Sequence, residues 1–267
     1  MVEHAERRVR GTTEAASSSS VLRAFDVLGG IAAASNGRAS LTQIAHHLRV
    51  SKSTAHRYLT TLEGLAVVER DEHEGYRLGL RLVELAGVVL SDHDVRREAE
   101  GELEALARYT KETAHLAVPS GSEVFYLAKF DSPHSLRMVS RIGARMPMYS
   151  TALGRSILAH SSEERVEGVL AEGLPRRTPS TITDARALRT NLELVRERGF
   201  AIDDEENEPG VRCVGAPIFD RGGSVVAAIS VSGPSTRVTR EVALAIAPAV
   251  LGAAKTVSMR LGYQDGR

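Results

Sequence analysis

Apolar residues recur at three- and four-residue steps through the first third of the chain, switch to short alternating runs after residue 113, and return to helical spacing at the end. Val21, Leu22, Phe25, Val27, Leu28 and Ile31 form a helical stripe that stops near Ala34-Ser-Asn-Gly37, where Asn and Gly punctuate the chain. Ser40-Leu-Thr-Gln43 has capping-box spacing and predicts a second helix, Leu41–Leu48, buried through Leu41, Ile44, Ala45 and Leu48. After the turn at Arg49-Val50, Ser51 is placed to cap a third helix running to Glu63. Ala55, Tyr58, Leu59 and Leu62 make its packed side, and Lys52, Ser53, His56, Arg57 and Thr60 its polar side. Val68 and Tyr76–Leu78 then predict two strands joined by a loop from Asp71 to Gly75. Helix, tight turn, helix and hairpin in this order describe a winged helix-turn-helix, whose second helix enters the DNA major groove.

Beyond it, Leu80, Leu82, Val83, Leu85, Ala86 and Val89 predict a helix apolar over so much of its circumference that it needs more than one neighbour, a connector with surface for a partner chain. Asp92 or Asp94 is placed to cap the next helix, Val95–Thr110. Strands are expected at 114–118, 123–129 and 136–140, then at Val211–Phe219 and Val225–Ser232. Helices are expected at 152–159, behind a cap at Ser161, behind Thr183 up to Gly199, and from Val238 to Leu261, where Pro248 should kink or break the last one. Strands returning through short loops among helices predict an α+β domain with a mainly antiparallel sheet. The boundaries that follow are a polar tail at 1–16, the winged helix-turn-helix at 17–78, a linker helix at 79–93 and a second domain at 94–267.

Composition changes this picture little. A 267-residue chain with 42% hydrophobic and 25% charged residues has an ordinary globular balance. The apolar runs look too short for a bilayer span, and the Arg7, Arg8, Arg10 start lacks the apolar core of a signal peptide, so no membrane partner is expected. A single cysteine, Cys213, excludes an intramolecular disulfide and fits a cytoplasmic protein. Net charge matters more by its distribution. The overall value is +0, yet residues 15–62 hold Arg23, Arg38, Arg49, Lys52 and Arg57 against Asp26 alone, a local 5 − 1 = +4 that steers towards phosphate. Few aromatics and no Trp argue against a single-strand stacking platform.

Enzyme signatures are missing: there is no G-x-G-x-x-G, Walker loop or H-E-x-x-H. Gly154-Arg-Ser156 imitates a nucleophile elbow, but Leu158 stands where the final Gly is required. Cys213 in an apolar strand suits a small core residue, and neither His115 nor His134 has ligand spacing to it. No catalytic residue, metal or cofactor is therefore expected. Ser230 and Ser232 fall on one face of a strand, where paired hydroxyls either face solvent or hold a small polar ligand. Unpaired amides at Ala152–Gly154 favour a carboxylate, whereas Asp203-Asp-Glu-Glu206 suits a solvated loop.

Several blocks in order give the chain a specific resemblance to the IclR family of bacterial transcription regulators. They are Ser51-Lys-Ser-Thr-Ala-His-Arg57, Tyr76-Arg-Leu-Gly-Leu80, Pro147-Met-Tyr-Ser-Thr-Ala-Leu-Gly-Arg155, Gly199-Phe-Ala-Ile-Asp-Asp-Glu-Glu206, Gly210-Val-Arg-Cys-Val-Gly-Ala-Pro217 and Ala227-Ala-Ile-Ser-Val-Ser-Gly-Pro234. The resemblance implies a GAF-like effector domain after the linker, homodimers or homotetramers, and operator binding switched by a small organic or aromatic acid. The polar face of the third helix is expected to put Lys52, Ser53, Thr54, His56 and Arg57 on double-stranded DNA, with the wing near His73 reaching the backbone. The resemblance also bears on the second domain. It lines the effector pocket with Ala152, Leu153, Asp203, Cys213, Ser230 and Ser232, with Met138 and Met146 on an apolar wall. Two departures stand out: Arg49 occupies a turn position where many relatives have Gly, and Ala152-Leu153 is bulkier than the pair in glyoxylate-responsive members, which tells against a C2 or C3 acid. The rival reading is a metabolite-binding module or enzyme whose first domain serves assembly only.

Overall fold

In the computed structural model, residues 19–34, 36–71, 75–91, 94–136 and 140–264 are described. The chain divides between residues 92 and 93 into two compact units.

The first unit contains α1 (Ser19–Ala33), β1 (Arg38–Ser40), α2 (Leu41–Leu48), α3 (Lys52–Gly64), β2 (Val68–Arg70), β3 (Gly75–Leu78) and α4 (Arg81–Ser91). Its core joins Val27 and Ile31 of α1 with Ile44, Ala45 and Leu48 of α2, Ala55, Leu59 and Leu62 of α3, and Val68 and Tyr76 of the hairpin. The expected capping box forms: the Ser40 hydroxyl accepts from the Gln43 amide at 3.3 Å, and the Gln43 side chain accepts from the Ser40 amide at 2.8 Å. The hairpin is a three-stranded sheet in the order β1-β3-β2, because Ala39 pairs with Tyr76. A strand as short as β1 leaves no alternation to read. In α4, Val83 and Leu85 are exposed, as is Leu80 before it.

The second unit holds α5 (Asp94–Thr110), β4 (Thr113–Ser120), β5 (Glu123–Phe130), β6 (Arg145–Pro147), α6 (Ala152–Leu158), α7 (Glu163–Ala171), α8 (Ala185–Arg198), β7 (Ala201–Asp204), β8 (Val211–Phe219), β9 (Val225–Pro234) and α9 (Arg240–Arg260). The six strands form one antiparallel sheet in the order β6-β5-β4-β9-β8-β7. Helices α5 and α9 pack against each other and the sheet, while α6, α7 and α8 share a second core with Ala117, Val124, Tyr126, Cys213 and Ala228. Both faces are thus covered, which is why Ser230 and Ile229 are equally buried although they alternate.

Several expectations are corrected. The strand expected at 136–140 falls mostly outside the described residues; Leu136 is an exposed bend, Ser140 belongs to no helix or strand, and the next described strand is β6, which was not expected. The cap of α7 is Ser162 rather than Ser161, whose hydroxyl instead donates to the Ile157 carbonyl at 2.9 Å. The cap of α8 is Asp184 rather than Thr183, its carboxylate accepting from the Ala187 amide at 2.8 Å. Gly199 ends α8 in the left-handed region, as its type favours. Helix α9 runs unbroken through Pro248. That residue lies on the exposed face, where water can serve the carbonyl left without an N–H donor. By length and composition α9 is apolar enough to cross a membrane, contrary to the sequence reading, but Ala243, Ile246, Ala247, Val250, Ala254 and Val257 are buried inside the unit.

Candidate functional site

Helix α3 presents the polar face. Ser51 holds its first turn, accepting from the Thr54 amide at 3.2 Å, and its hydroxyl lies 2.9 Å from those of Ser53 and Thr54. Lys52, Ser53, His56 and Arg57 are exposed and Thr54 is half-buried, its side chain spent on the cap. The turn before it closes on Arg49 at φ 54°, ψ 45°, with its amide bonded to Ala45 and His46 carbonyls. The left-handed geometry that explains Gly in relatives is therefore present, with an arginine in it. Two of the five basic residues counted in the local charge work inside the fold. Arg23 donates to the Leu48 carbonyl at 2.7 Å, which caps α2, and Arg38 pairs with Asp71 at 3.2 Å. Arg49, Lys52 and Arg57 are exposed, the last two on the polar side of α3. His73, expected at the wing tip, lies outside the described residues, as do the 1–16 tail and Asp92.

In the second unit the strand register builds a row of side chains across the sheet. Asp203 faces Cys213, Cys213 faces Ser232, and Ser232 faces Thr113. One step along, Gly215 faces Ser230 and Ser230 faces His115. Helix α6 settles on this face because Gly215 has no side chain: a Cβ there would stand 2.9 Å from the Ala152 carbonyl. A narrow, nearly closed cleft of about 10 Å3 results, room for a single water, lined by Ala152, Leu153, Asp203, Cys213, Ser230 and Ser232. Tyr126, Thr151, Asn207 and Val211 complete it. Six of the eight residues expected at an effector pocket thus meet in one place. Met146 does not line it; it sits in β6, half-buried against the neighbouring core. Met138 lies outside the described residues.

Asp203 is no solvated loop acid. Its residue is 2% exposed, and one carboxylate oxygen accepts from the Glu206 and Asn207 amides at 2.8 and 3.2 Å. Burial pushes its carboxyl up to about 7, against the opposing pull of Arg155 and the two amides. Burial, then the neighbouring Asp203, also holds the Cys213 thiol far above its ordinary range, so it is a protonated core group and a poor nucleophile. Asp203 and Glu206 bury because a cation awaits them, while Asp204 and Glu205 between them stay half-exposed. Arg155, fully buried, reaches Glu206 at 2.7 and 3.0 Å, the Ile202 carbonyl at 2.6 Å and the Asn191 side chain at 3.2 Å. Sequence reasoning missed Arg155, Glu206, Asn207 and Tyr126. The pairing of an arginine in one block with an acid 51 residues later leaves no periodic signal. Among the described residues no group of three or more His, Cys, Asp or Glu side chains is arranged to hold a metal.

A helix-turn-helix joined to a sheet domain with a buried polar cleft defines a regulator of the ligand-responsive class. The family model for the bacterial transcriptional regulator IclR C-terminal domain matches residues 87–259, and that for the IclR helix-turn-helix domain matches 20–72. The chain belongs to the IclR family of bacterial transcriptional regulators: it is a DNA-binding regulator with an effector-binding C-terminal domain. It is 39% identical over 250 residues to the HTH-type transcriptional regulator KdgR of Escherichia coli (strain K12), covering 92% of this chain and 94% of that one. It is also similar to the crystal structure of the Thermotoga maritima IclR, at 37% identity and TM-score 0.79, over 92% and 99% of the two chains. An IclR homologue from Microbacterium hydrocarbonoxydans complexed with 4-hydroxybenzoate matches at 26% identity and TM-score 0.79, over 91% and 98%. The reading of the first domain as an assembly module finds no support in these relatives.

Proposed function

We propose that a small organic or aromatic acid binds the cleft under α6 and thereby controls how two copies of α3 grip a palindromic operator. The observation that carries this reading is the meeting of Asp203, Cys213, Ser230 and Ser232 beside Ala152 and Leu153 in one buried cleft. Apolar walls with a few convergent polar groups are what small-ligand sites are made of. The 4-hydroxybenzoate held by the Microbacterium hydrocarbonoxydans homologue supports the class of ligand. A carboxylate brought near Asp203 favours the neutral form of that side chain, so above about pH 7 binding takes up a proton, tightens as pH falls towards 7 and levels off below it.

Lys52, Ser53, His56 and Arg57 supply base and phosphate contacts, while Thr54 acts mainly through the cap. The exposed Leu80, Val83 and Leu85 give α4 an apolar surface for self-association into homodimers, which can pair into homotetramers. The protein works in the cytoplasm, apart from membranes, as a regulator rather than an enzyme: burial and the neighbouring Asp203 hold the cleft's one thiol protonated and poorly nucleophilic. In a thermal-shift screen of carboxylic, sugar and aromatic acids, a ligand is expected to raise the melting temperature of wild type and not of Ser230→Ala/Ser232→Ala. Equal shifts in both proteins would remove the cleft from the account.

A further inference from the structure

Among the described residues, three buried side-chain polar atoms lack a hydrogen-bond partner: Arg155 Nε, His115 Nδ1 and Ser230 Oγ. The last two belong together. His115 on β4 and Ser230 on β9 are cross-strand partners, so their side chains leave the same face of the sheet side by side. Both residues are sealed, His115 at 0% and Ser230 at 1% exposure. Ser230 lines the cleft, and the His115 ring stacks on Tyr126, another cleft residue, at 5.0 Å between centroids. The far nitrogen of the ring is engaged: Nε2 lies 2.7 Å from the Ser140 hydroxyl. That hydroxyl is itself fixed by its main chain, because the Ser140 carbonyl accepts from Lys129 at 2.6 Å. The ring is therefore oriented, with one nitrogen committed and the other waiting.

A buried donor or acceptor without a partner costs about 1–3 kcal/mol, and two adjacent ones at the edge of a ligand cleft form a site rather than an accident. We propose that His115 and Ser230 form the blind end of the effector cleft and receive an uncharged oxygen of the ligand, a keto or hydroxyl group set apart from its carboxylate. The inference rests on the cleft being the effector site. The choice of a neutral oxygen follows from the ring's surroundings. Burial, reinforced by Lys129, holds His115 down to about 4, with Asp131 opposing. The imidazole is thus neutral at physiological pH and offers one N–H or one lone pair, but no cation for a carboxylate. When Ser140 donates to Nε2, His115 Nδ1–H and the Ser230 hydroxyl both donate to a ligand carbonyl. In the other tautomer Nδ1 accepts from a ligand hydroxyl. Hydroxy and keto acids both fit; their unsubstituted parents leave the two atoms unpaired.

The test uses the full-length protein and two probe pairs that differ by one neutral oxygen, 4-hydroxybenzoate against benzoate and 2-oxoglutarate against glutarate, with binding read by calorimetry. For at least one pair, wild type should bind the oxygenated member about tenfold or more tightly over its parent, the yield of one to two hydrogen bonds. His115→Phe, which keeps the stacking on Tyr126, should erase that preference while leaving the parent's affinity within about twofold. Binding that Asp203→Asn weakens but His115→Phe does not would overturn the subsite and leave the cleft standing. Binding indifferent to both variants would overturn the cleft reading itself, and a wild type that takes up none of the four overturns the ligand class. An arm without ligand reads the unpaired atom directly. Ser230→Ala should raise the melting temperature, because it removes a buried hydroxyl that has no partner. A fall would show the hydroxyl satisfied in the free protein, by water or otherwise, and would refute the inference.

Discussion

Replacing Arg155 with Met should be among the most damaging single changes in the second unit. The guanidinium is fully buried and makes four polar contacts, two of them to Glu206, whose own side chain is 9% exposed. Removing the cation leaves the Glu206 carboxylate buried without its partner, next to Asp203, which Glu206 already pushes towards its neutral form. Breaking a buried pair by removing one member costs about 3–5 kcal/mol, against a total domain stability of about 5–15 kcal/mol. Arg155→Met/Glu206→Leu should recover part of that loss, since neither charge then remains to be buried. The assay is urea unfolding by circular dichroism at pH 7.5, with the four proteins of the cycle compared at equal concentration. A second readout follows from the same geometry. Arg155 favours the Asp203 carboxylate, so its removal should move any Asp203-linked pH dependence of ligand binding upwards. If Arg155→Met cost under about 1 kcal/mol, or the double variant were less stable than either single one, the pair would not hold 203–206 in place and the account of the buried acid would be wrong.

Three further outcomes are expected. Arg49→Gly should stabilise the DNA-binding unit by about 0.5–1 kcal/mol, the left-handed strain of about 1–2 kcal/mol less the extra freedom of unfolded glycine, as read by its melting temperature; a loss would mean that the Arg49 side chain supports the turn. His115 and Asp203 should give opposite pH slopes to stability. His115 titrates near 4 folded against 6.5 unfolded, so its contribution is present above pH 6.5 and is lost as pH falls towards 4, on the order of 3 kcal/mol. Asp203 titrates near 7 folded against 3.8 unfolded, so its contribution is present below pH 3.8 and is lost as pH rises towards 7, by a similar amount. Asp203→Asn should therefore leave stability rising with pH between 4 and 6.5, and His115→Phe should leave it falling; unfolding curves with the same slope in both variants would refute the assignment. Gly215→Val should abolish ligand binding measured by calorimetry, because its Cβ would stand 2.9 Å from the Ala152 backbone and push α6 off the sheet, whereas retained binding would show the cleft elastic.

The helix-turn-helix was legible from residues 40–63, and its wing from 68–78, because caps, apolar steps and turns are local features. Ser40, Gln43 and Ser51 act within three residues of themselves, and Ala55, Leu59 and Leu62 are buried as their spacing requires. The sheet order was not legible, since nothing in β9 says that it lies between β4 and β8. Ser230 and Ser232 were identifiable as neighbours on one face, yet only the coverage of that face by α6 turns them from surface into cleft. Asp203 shows the limit most plainly: from composition it belongs to a solvated acidic loop, and from the fold it is a carboxyl buried by an arginine in another block. The short strands β1, β6 and β7, of three to four residues, went unread because they carry too few positions to show a period.

The claim at the centre is that α3 grips DNA through Lys52 and Arg57. Its direct test is the salt dependence of binding to a duplex carrying the sequence upstream of the protein's own gene, measured by fluorescence anisotropy for wild type, Lys52→Ala and Arg57→Ala. Each variant should bind more weakly and should lower the slope of log K against log salt by about one for every protomer engaged, with circular dichroism unchanged. Slopes and affinities equal to wild type in both variants would contradict the assignment of this helix to DNA.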